Sequence, residues 1–362
     1  MNRGDLMAQK LNNTAIIVLG MHRSGTSAIS GVLHRLGVDL GSDLMPPQED
    51  NPKGFYEHNK LTELNESILN ALGSSWDDPR ALPPQWSQNV RISPLRERLK
   101  FILLNEFKES HLWALKDPRI SRLLDLWLPL LDELGVNIKI LFALRHPSEV
   151  ADSLLIRNQI PSSQSLLLWL RYTLEGEKRS RVLSRTFQFY SDVLSDWRAS
   201  FRRIEAELFL EWPRTLDSVA SEVDDFLVGS LRHHENESDD QSVYCSHYHR
   251  IAQLVYASMH SLGAPQAVSF LEECDTNLIQ LEEKVAAYNA YIESVRNKLE
   301  NTQWSLVDTQ KILTKTREEL NETREELNAI PKKLLTYLKA SVRFIIFFRN
   351  LCFLNKQNLW KK

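Results

Sequence analysis

The chain has 362 residues, 43% of them hydrophobic, a net charge of −3 and only three cysteines. That is enough apolar material to bury a full α/β domain with chain left over, and the mild acidity carries no basic surplus of the kind a nucleic-acid partner needs. Cys245, Cys274 and Cys352 lie too far apart for a disulfide framework or a metal spacing, so they fit a reducing, cytoplasmic setting and no metal site is expected.

Residues 1–13 are polar and hold no apolar core of signal-peptide length, which predicts a flexible N-terminus without an export signal. Next, Thr14-Ala-Ile-Ile-Val-Leu19 reads as a buried parallel strand, and Ala28 to Leu36 carries apolar residues at helical spacing. Between them stands Gly20-Met-His-Arg-Ser-Gly-Thr-Ser27. It matches G-x-x-x-x-G-K-[ST] at both glycines and the final Ser, but Thr26 takes the lysine position. A loop that joins a strand to a helix N-terminus gathers backbone N–H groups and the positive end of the helix dipole into one small volume. Anion binding is therefore expected at His22, Arg23, Ser24, Gly25, Thr26 and Ser27.

A nucleotide phosphotransferase needs the P-loop lysine and an acidic strand end to hold Mg²⁺. The later strand, Asn137-Ile-Lys-Ile-Leu-Phe-Ala-Leu144, ends instead in Arg145, which repels a metal and attracts a second phosphate. Arg145-His-Pro-Ser-Glu-Val-Ala-Asp-Ser153 puts a Pro in the first helical turn and a Ser about two turns in, so Arg145 and Ser153 can clamp one phosphate.

Loop and clip together, about 120 residues apart, resemble the 5′-phosphosulfate loop and 3′-phosphate site of sulfotransferases that use 3′-phosphoadenosine 5′-phosphosulfate (PAPS). Trp113-Ala-Leu-Lys-Asp-Pro-Arg119 is similar to the Lys-Asp-Pro segment of the bacterial and tyrosylprotein-type branches. Pro52-Lys-Gly-Phe-Tyr-Glu57 resembles the stretch where many bacterial members carry an acidic residue near the acceptor. The resemblance spans roughly residues 14 to 240. It departs from the cytosolic drug-metabolising branch, because Arg23 replaces that branch's loop lysine and no equivalent of its catalytic His is evident.

The resemblance implies PAPS as co-substrate, Glu57 as general base, and Lys116 with Arg23 stabilising the charge on the leaving group. The apolar neighbours of Glu57 in Gly54-Phe-Tyr-Glu could also raise its basicity. His58 and Glu49 are the next candidates for the base. The acceptor expected is a hydroxyl on a saccharide or surface glycan. Two alternatives stay open: a P-loop nucleotide or sugar kinase, and a coiled-coil scaffold carrying a relic P-loop domain.

The rest of residues 14–240 alternates strand and helix signals, with an irregular Pro-rich stretch from Asp77 to Pro94 expected over the acceptor side. Val219 to Leu231 is expected to close this domain. Residues 241–274 then read as a helical connector with a break at Gly263-Ala-Pro265.

From 275 to 330 a coiled coil about 80 Å long is predicted. Leu278, Val285, Ile292, Leu299, Leu306, Leu313, Leu320 and Leu327 recur every seven residues, and a second column three residues on turns to Thr in its middle. Such a seam implies a homo-oligomer. The tail, 331–362, has eight Lys/Arg and no Asp or Glu, leaving −11 on residues 1–330. Its apolar run is interrupted by Lys339, Arg343 and Arg349, which suits a helix lying on an anionic membrane face better than one spanning it. The fold class expected is thus α/β: a P-loop parallel sheet flanked by helices, followed by a long coiled-coil helix and a basic amphipathic tail.

Overall fold

A computed structural model describes residues 10–48, 51–228, 247–261, 265–329 and 332–358. The sheet has four strands: β1 (Thr14–Leu19), β2 (Leu112–Lys116), β3 (Asn137–Leu144) and β4 (Ser184–Phe189). They lie in the order β2-β1-β3-β4 and every pairing is parallel, with Val18 opposite Lys116 and Leu144 opposite Phe189. Parallel neighbours need long crossovers, which helices supply. They are α1 (Thr26–Arg35), α2 (Asn59–Ala71), α3 (Ser93–Glu106), α4 (Ile120–Glu133), α5 (Pro147–Asn158) and α6 (Ser162–Ser180). After β4 come α7 (Tyr190–Ser195), α8 (Trp197–Leu208), α9 (Ala220–Val228) and α10 (His247–Met259).

Alternation along β1 sorts its side chains between two cores. Ala15, Ile17 and Leu19 face a cluster built with α2, α3, α4 and α6, whereas Ile16 and Val18 face one built with α1, α8 and α9. The chain leaves β1 for β2 on one side and returns to β3 on the other. That reversal opens a crevice at the carboxyl ends of the strands, where ligands bind in open α/β sheets. Gly20, Asp117, Arg145 and Tyr190 each follow a strand end at that edge.

Two boundaries differ from the sequence reading. Leu11 is buried and its N–H donates to Leu134 O at 2.8 Å, while the Asn13 side chain bonds Phe107 O, Ser110 O and Trp113 Nε1, so residues 11–13 belong to the fold. The expected connector is also part of the head: Ala252, Val255 and Met259 of α10, and Leu271, Cys274 and Leu278 beyond it, are buried in the first core. The chain divides instead into Met1–Glu282 and Glu283–Lys362. Carbonyls of the Pro-rich stretch are pinned by side chains of α4 and α6, with Arg122 on Asp78 O and Arg80 O and Arg171 on Pro79 O. Those guanidiniums satisfy a backbone with no ladder of its own.

The second unit holds the remainder of α11 (Pro265–Ala329) and α12 (Lys332–Asn358). Leu299, Leu306, Leu313 and Leu320 of the seven-residue column are 58–70% exposed. The Thr column satisfies itself: Thr302, Thr309, Thr316 and Thr323 each donate to the carbonyl four residues back at 2.8–2.9 Å. With the hydroxyl turned onto its own helix, a Thr can take a seam position without burying an unpaired donor. Among the described residues no helix is long and apolar enough to cross a membrane.

Candidate active site

The loop after β1 takes its shape from two glycines. Gly20 (φ 138°) and Gly25 (φ 84°) adopt backbone conformations that L side chains rarely reach. A Cβ on Gly20 would sit 2.5 Å from Ala143 O, and one on Gly25 2.3 Å from the Tyr190 ring. Sheet and ring therefore press the loop from two sides. Between the glycines Arg23 is also left-handed, at φ 68°, a conformation that costs about 1 kcal/mol or more without glycine. Two contacts hold it there: Arg23 Nε donates to Ser153 Oγ at 2.8 Å, and Arg145 Nη1 donates to Arg23 O at 3.1 Å.

Loop and clip are thus one assembly. Arg145 is buried, its guanidinium lies 5.3 Å from the Tyr190 ring, and its Nε pairs with Glu149 at 2.7 Å. Its carbonyl accepts from Trp169 Nε1 at 3.2 Å, which fixes the backbone where β3 gives way to α5. The first N–H groups of α1 have no intrahelical acceptor. Ser24 behaves differently from the expectation: its N–H donates to Met21 O at 3.1 Å, and its buried Oγ has no hydrogen-bond partner among the described residues.

On the β2 side Lys116 is buried and directs its ammonium at three oxygens: Glu57 Oε1, Ser27 Oγ at 3.2 Å and Phe55 O at 3.2 Å. All three of its donors are used. Glu57, also buried, has Arg119 3.8 Å from its second oxygen. Burial lifts the Glu57 carboxyl above the ordinary carboxylate range, with Asp117 adding to the effect, while Lys116 and Arg119 pull against it. The turn after β2 is tied by Asp117, which accepts from Arg119 N at 3.0 Å and from Asn65 Nδ2 at 2.9 Å.

These elements enclose a cavity of ≈ 340 Å³. Its lining includes His22, Arg23, Gly25, Thr26, Ser27, Glu57, Lys116 and Arg145, so the site residues read from the loop, β2 and β3 meet in one place. Ser24 and Ser153 do not line it; Ser153 acts by holding Arg23. His58 is turned away toward Glu106 at 3.7 Å, and Glu49 lies outside the described residues. Trp76 lines the cavity, but residues 77–94 of the Pro-rich stretch do not.

Trp76, Arg119, Arg157 and Tyr190 were missed by the sequence reading as site residues. Only Arg119 left a signal there, next to Lys-Asp-Pro. The lining is strongly basic, with Arg23, Lys53, Lys116, Arg119, Arg145 and Arg157 against the single carboxylate of Glu57. Among the described residues no three His, Cys, Asp or Glu side chains are grouped to hold a metal.

No family model matches the chain, and no curated protein matches it significantly. Among solved structures it is similar to the sulfotransferase domain from the Synechococcus PCC 7002 olefin synthase, at 15% identity over 74% of this chain and 96% of that one, with a TM-score of 0.38. It is also similar to the sulfotransferase domain from the curacin biosynthetic pathway, at 14% identity over 55% and 75% of the two chains, with a TM-score of 0.33. At these values the chemistry has to be read from the site's own residues.

Proposed function

We propose that the protein is a sulfotransferase that moves a sulfuryl group from PAPS to an acceptor hydroxyl. One observation carries this reading. Arg145 stands at the strand end where a nucleotide phosphotransferase keeps its Mg²⁺ carboxylate, and it bonds the phosphate loop itself through Arg23 O. A second cationic site therefore adjoins a loop that lacks the P-loop lysine, which suits a nucleotide with phosphate on both the 3′ and 5′ sides.

In this reading the N–H groups of the first turn of α1, with Arg23, hold the 5′-phosphosulfate, and Arg145 holds the 3′-phosphate. The acceptor oxygen attacks sulfur as the bond from sulfur to the bridging oxygen breaks, and the bonding electrons pass to the 5′-phosphate of 3′,5′-ADP. Glu57 takes the acceptor proton, a role that its burial-raised basicity favours. Lys116, fixed between Ser27 and Glu57, is placed to meet negative charge that develops at the loop. Ser153 positions Arg23.

The acceptor class favoured is a saccharide. The seam of α11 supports a homo-oligomer, and the basic tail supports peripheral docking of the protein at the cytoplasmic membrane face. The reading is tested by titrating 3′,5′-ADP and 5′-ADP into wild-type and Arg145→Ala protein. Wild type should favour 3′,5′-ADP by about ten- to a hundredfold, as expected for charge-assisted hydrogen bonds, and the variant should lose most of that preference. Equal binding of the two nucleotides by wild type would refute it.

A further inference from the structure

One wall of the cavity is built unlike the rest. Trp76 and His22 line it with ring centroids 4.6 Å apart at 54°. Behind them stands the fully buried Tyr172, whose hydroxyl donates to Trp76 O at 2.7 Å and whose ring meets His22 edge-on at 5.9 Å. Tyr172 thus packs against the His22 ring and ties down the backbone that carries Trp76.

His22 Nε2 is buried and has no hydrogen-bond partner among the described residues. Buried polar atoms are nearly always paired, so this nitrogen keeps hydrogen-bonding capacity for a group that reaches it from the cavity His22 lines. Burial first, and then Arg119 and Lys116, hold the ring well below the ordinary imidazole range, so it is neutral. The same two cations flank Glu57. His22 and Glu57 thus share two cationic neighbours.

Charge narrows the choice of ligand. Six cationic side chains and one carboxylate line the cavity, and PAPS carries roughly −4 at neutral pH, counting a phosphate monoester at about −2. Little positive charge is left for a second anion. What the wall offers is a flat aromatic surface and one neutral hydrogen-bonding nitrogen, and the cavity lining adds the uncharged amides of Gln48, Asn51 and Asn158. A sugar ring has complementary chemistry: weakly positive C–H groups on one face, which suit the negative face of an indole, and hydroxyls around its edge.

Resting on the sulfotransferase reading, we propose that Trp76 and His22 form the acceptor subsite and that it takes an uncharged sugar ring, stacked on the indole with one hydroxyl hydrogen-bonded to His22. Trp76 sets which face of the sugar turns toward Glu57, and His22 sets which hydroxyl is held.

The experiment is saturation-transfer NMR on the full chain saturated with 3′,5′-ADP, using the methyl glycosides of glucose, galactose and mannose as probes. At least one should receive transfer, strongest on its C–H protons. Trp76→Ala should cut that signal at least fivefold while the Kd for 3′,5′-ADP changes less than twofold, Trp76→Phe, which keeps an aromatic face, should restore most of it, and His22→Ala should also cut it at least fivefold. The subsite is overturned if no glycoside receives transfer, if glucuronate binds tenfold more tightly than methyl glucoside, or if Trp76→Ala weakens 3′,5′-ADP tenfold, since the wall would then face the nucleotide. Absence of 3′,5′-ADP binding by wild type would remove the sulfotransferase reading, and the subsite with it.

Discussion

Replacing Lys116 with Met would leave Glu57 buried with only Arg119, at 3.8 Å, to balance it. Both partners are almost fully enclosed, with side-chain exposures of 3% for Lys116 and 7% for Glu57. Removing one member of such a pair costs about 3–5 kcal/mol, because a desolvated charge is left behind. The loss falls at the low end here, since Arg119 remains nearby. Glu57→Gln should cost less, because a glutamine oxygen still accepts from Lys116. Lys116→Met combined with Glu57→Gln should recover at least half of the Lys116→Met loss. The pH dependence gives a second check. Losing Lys116 raises the Glu57 pKa further; a carboxyl whose folded pKa is raised contributes stability that is present at low pH and lost as pH rises through that pKa. The Lys116→Met penalty should therefore shrink between pH 7.5 and pH 5, and in the double variant this pH dependence should vanish. Urea unfolding followed by tryptophan fluorescence measures all four proteins. Additive single effects, with coupling below about 0.5 kcal/mol, or a penalty that ignores pH, would refute a buried Lys116–Glu57 pair.

Gly25→Ala places a methyl 2.3 Å from the Tyr190 ring at φ 84°, so it should cost about 2–4 kcal/mol in thermal or urea unfolding and abolish 3′,5′-ADP binding in calorimetry. Glu57→Gln should leave that binding intact and lower turnover about 10²–10⁴-fold. The acid limb of the wild-type rate profile should lie above the ordinary carboxylate range, and the Gln variant should lack it; near-normal turnover would move the base elsewhere. A chain ended at Glu282, the unit boundary, should sediment as a monomer that still binds 3′,5′-ADP. The full chain should sediment as a dimer and bind vesicles containing anionic lipid in a salt-sensitive way. A monomeric full chain, or a truncated one still on vesicles, would contradict the division of labour.

Strands and loop were legible because they rest on local signals. Apolar runs bounded by Gly20 and Arg145 are β1 and β3 residue for residue, and parallel pairing then brings Lys116 beside Val18. The start of α5 was legible for the same reason, with Pro147 opening it. Packing was not. Tyr190 reaches the loop only because β4 lies beside β3, and Trp76 is placed by a hydrogen bond from Tyr172, 96 residues away. Ser24 matched the motif, yet its N–H turns inward to Met21, a detail set by the left-handed neighbour Arg23. The head boundary was missed because Leu278 continues the seven-residue column while packing into the first core, so its spacing alone cannot tell a seam from a docking face.

Thermal stabilisation of the wild-type chain by 3′,5′-ADP, set against 5′-ADP and ATP with Mg²⁺, tests the central claim most directly. At a hundred times its dissociation constant 3′,5′-ADP should add about 2.7 kcal/mol of stability, equal concentrations of the other two should add far less, and EDTA should change nothing. Equal stabilisation by 5′-ADP, or an effect that appears only with Mg²⁺, would contradict the assignment of Arg145 and the loop to the two ends of a PAPS molecule.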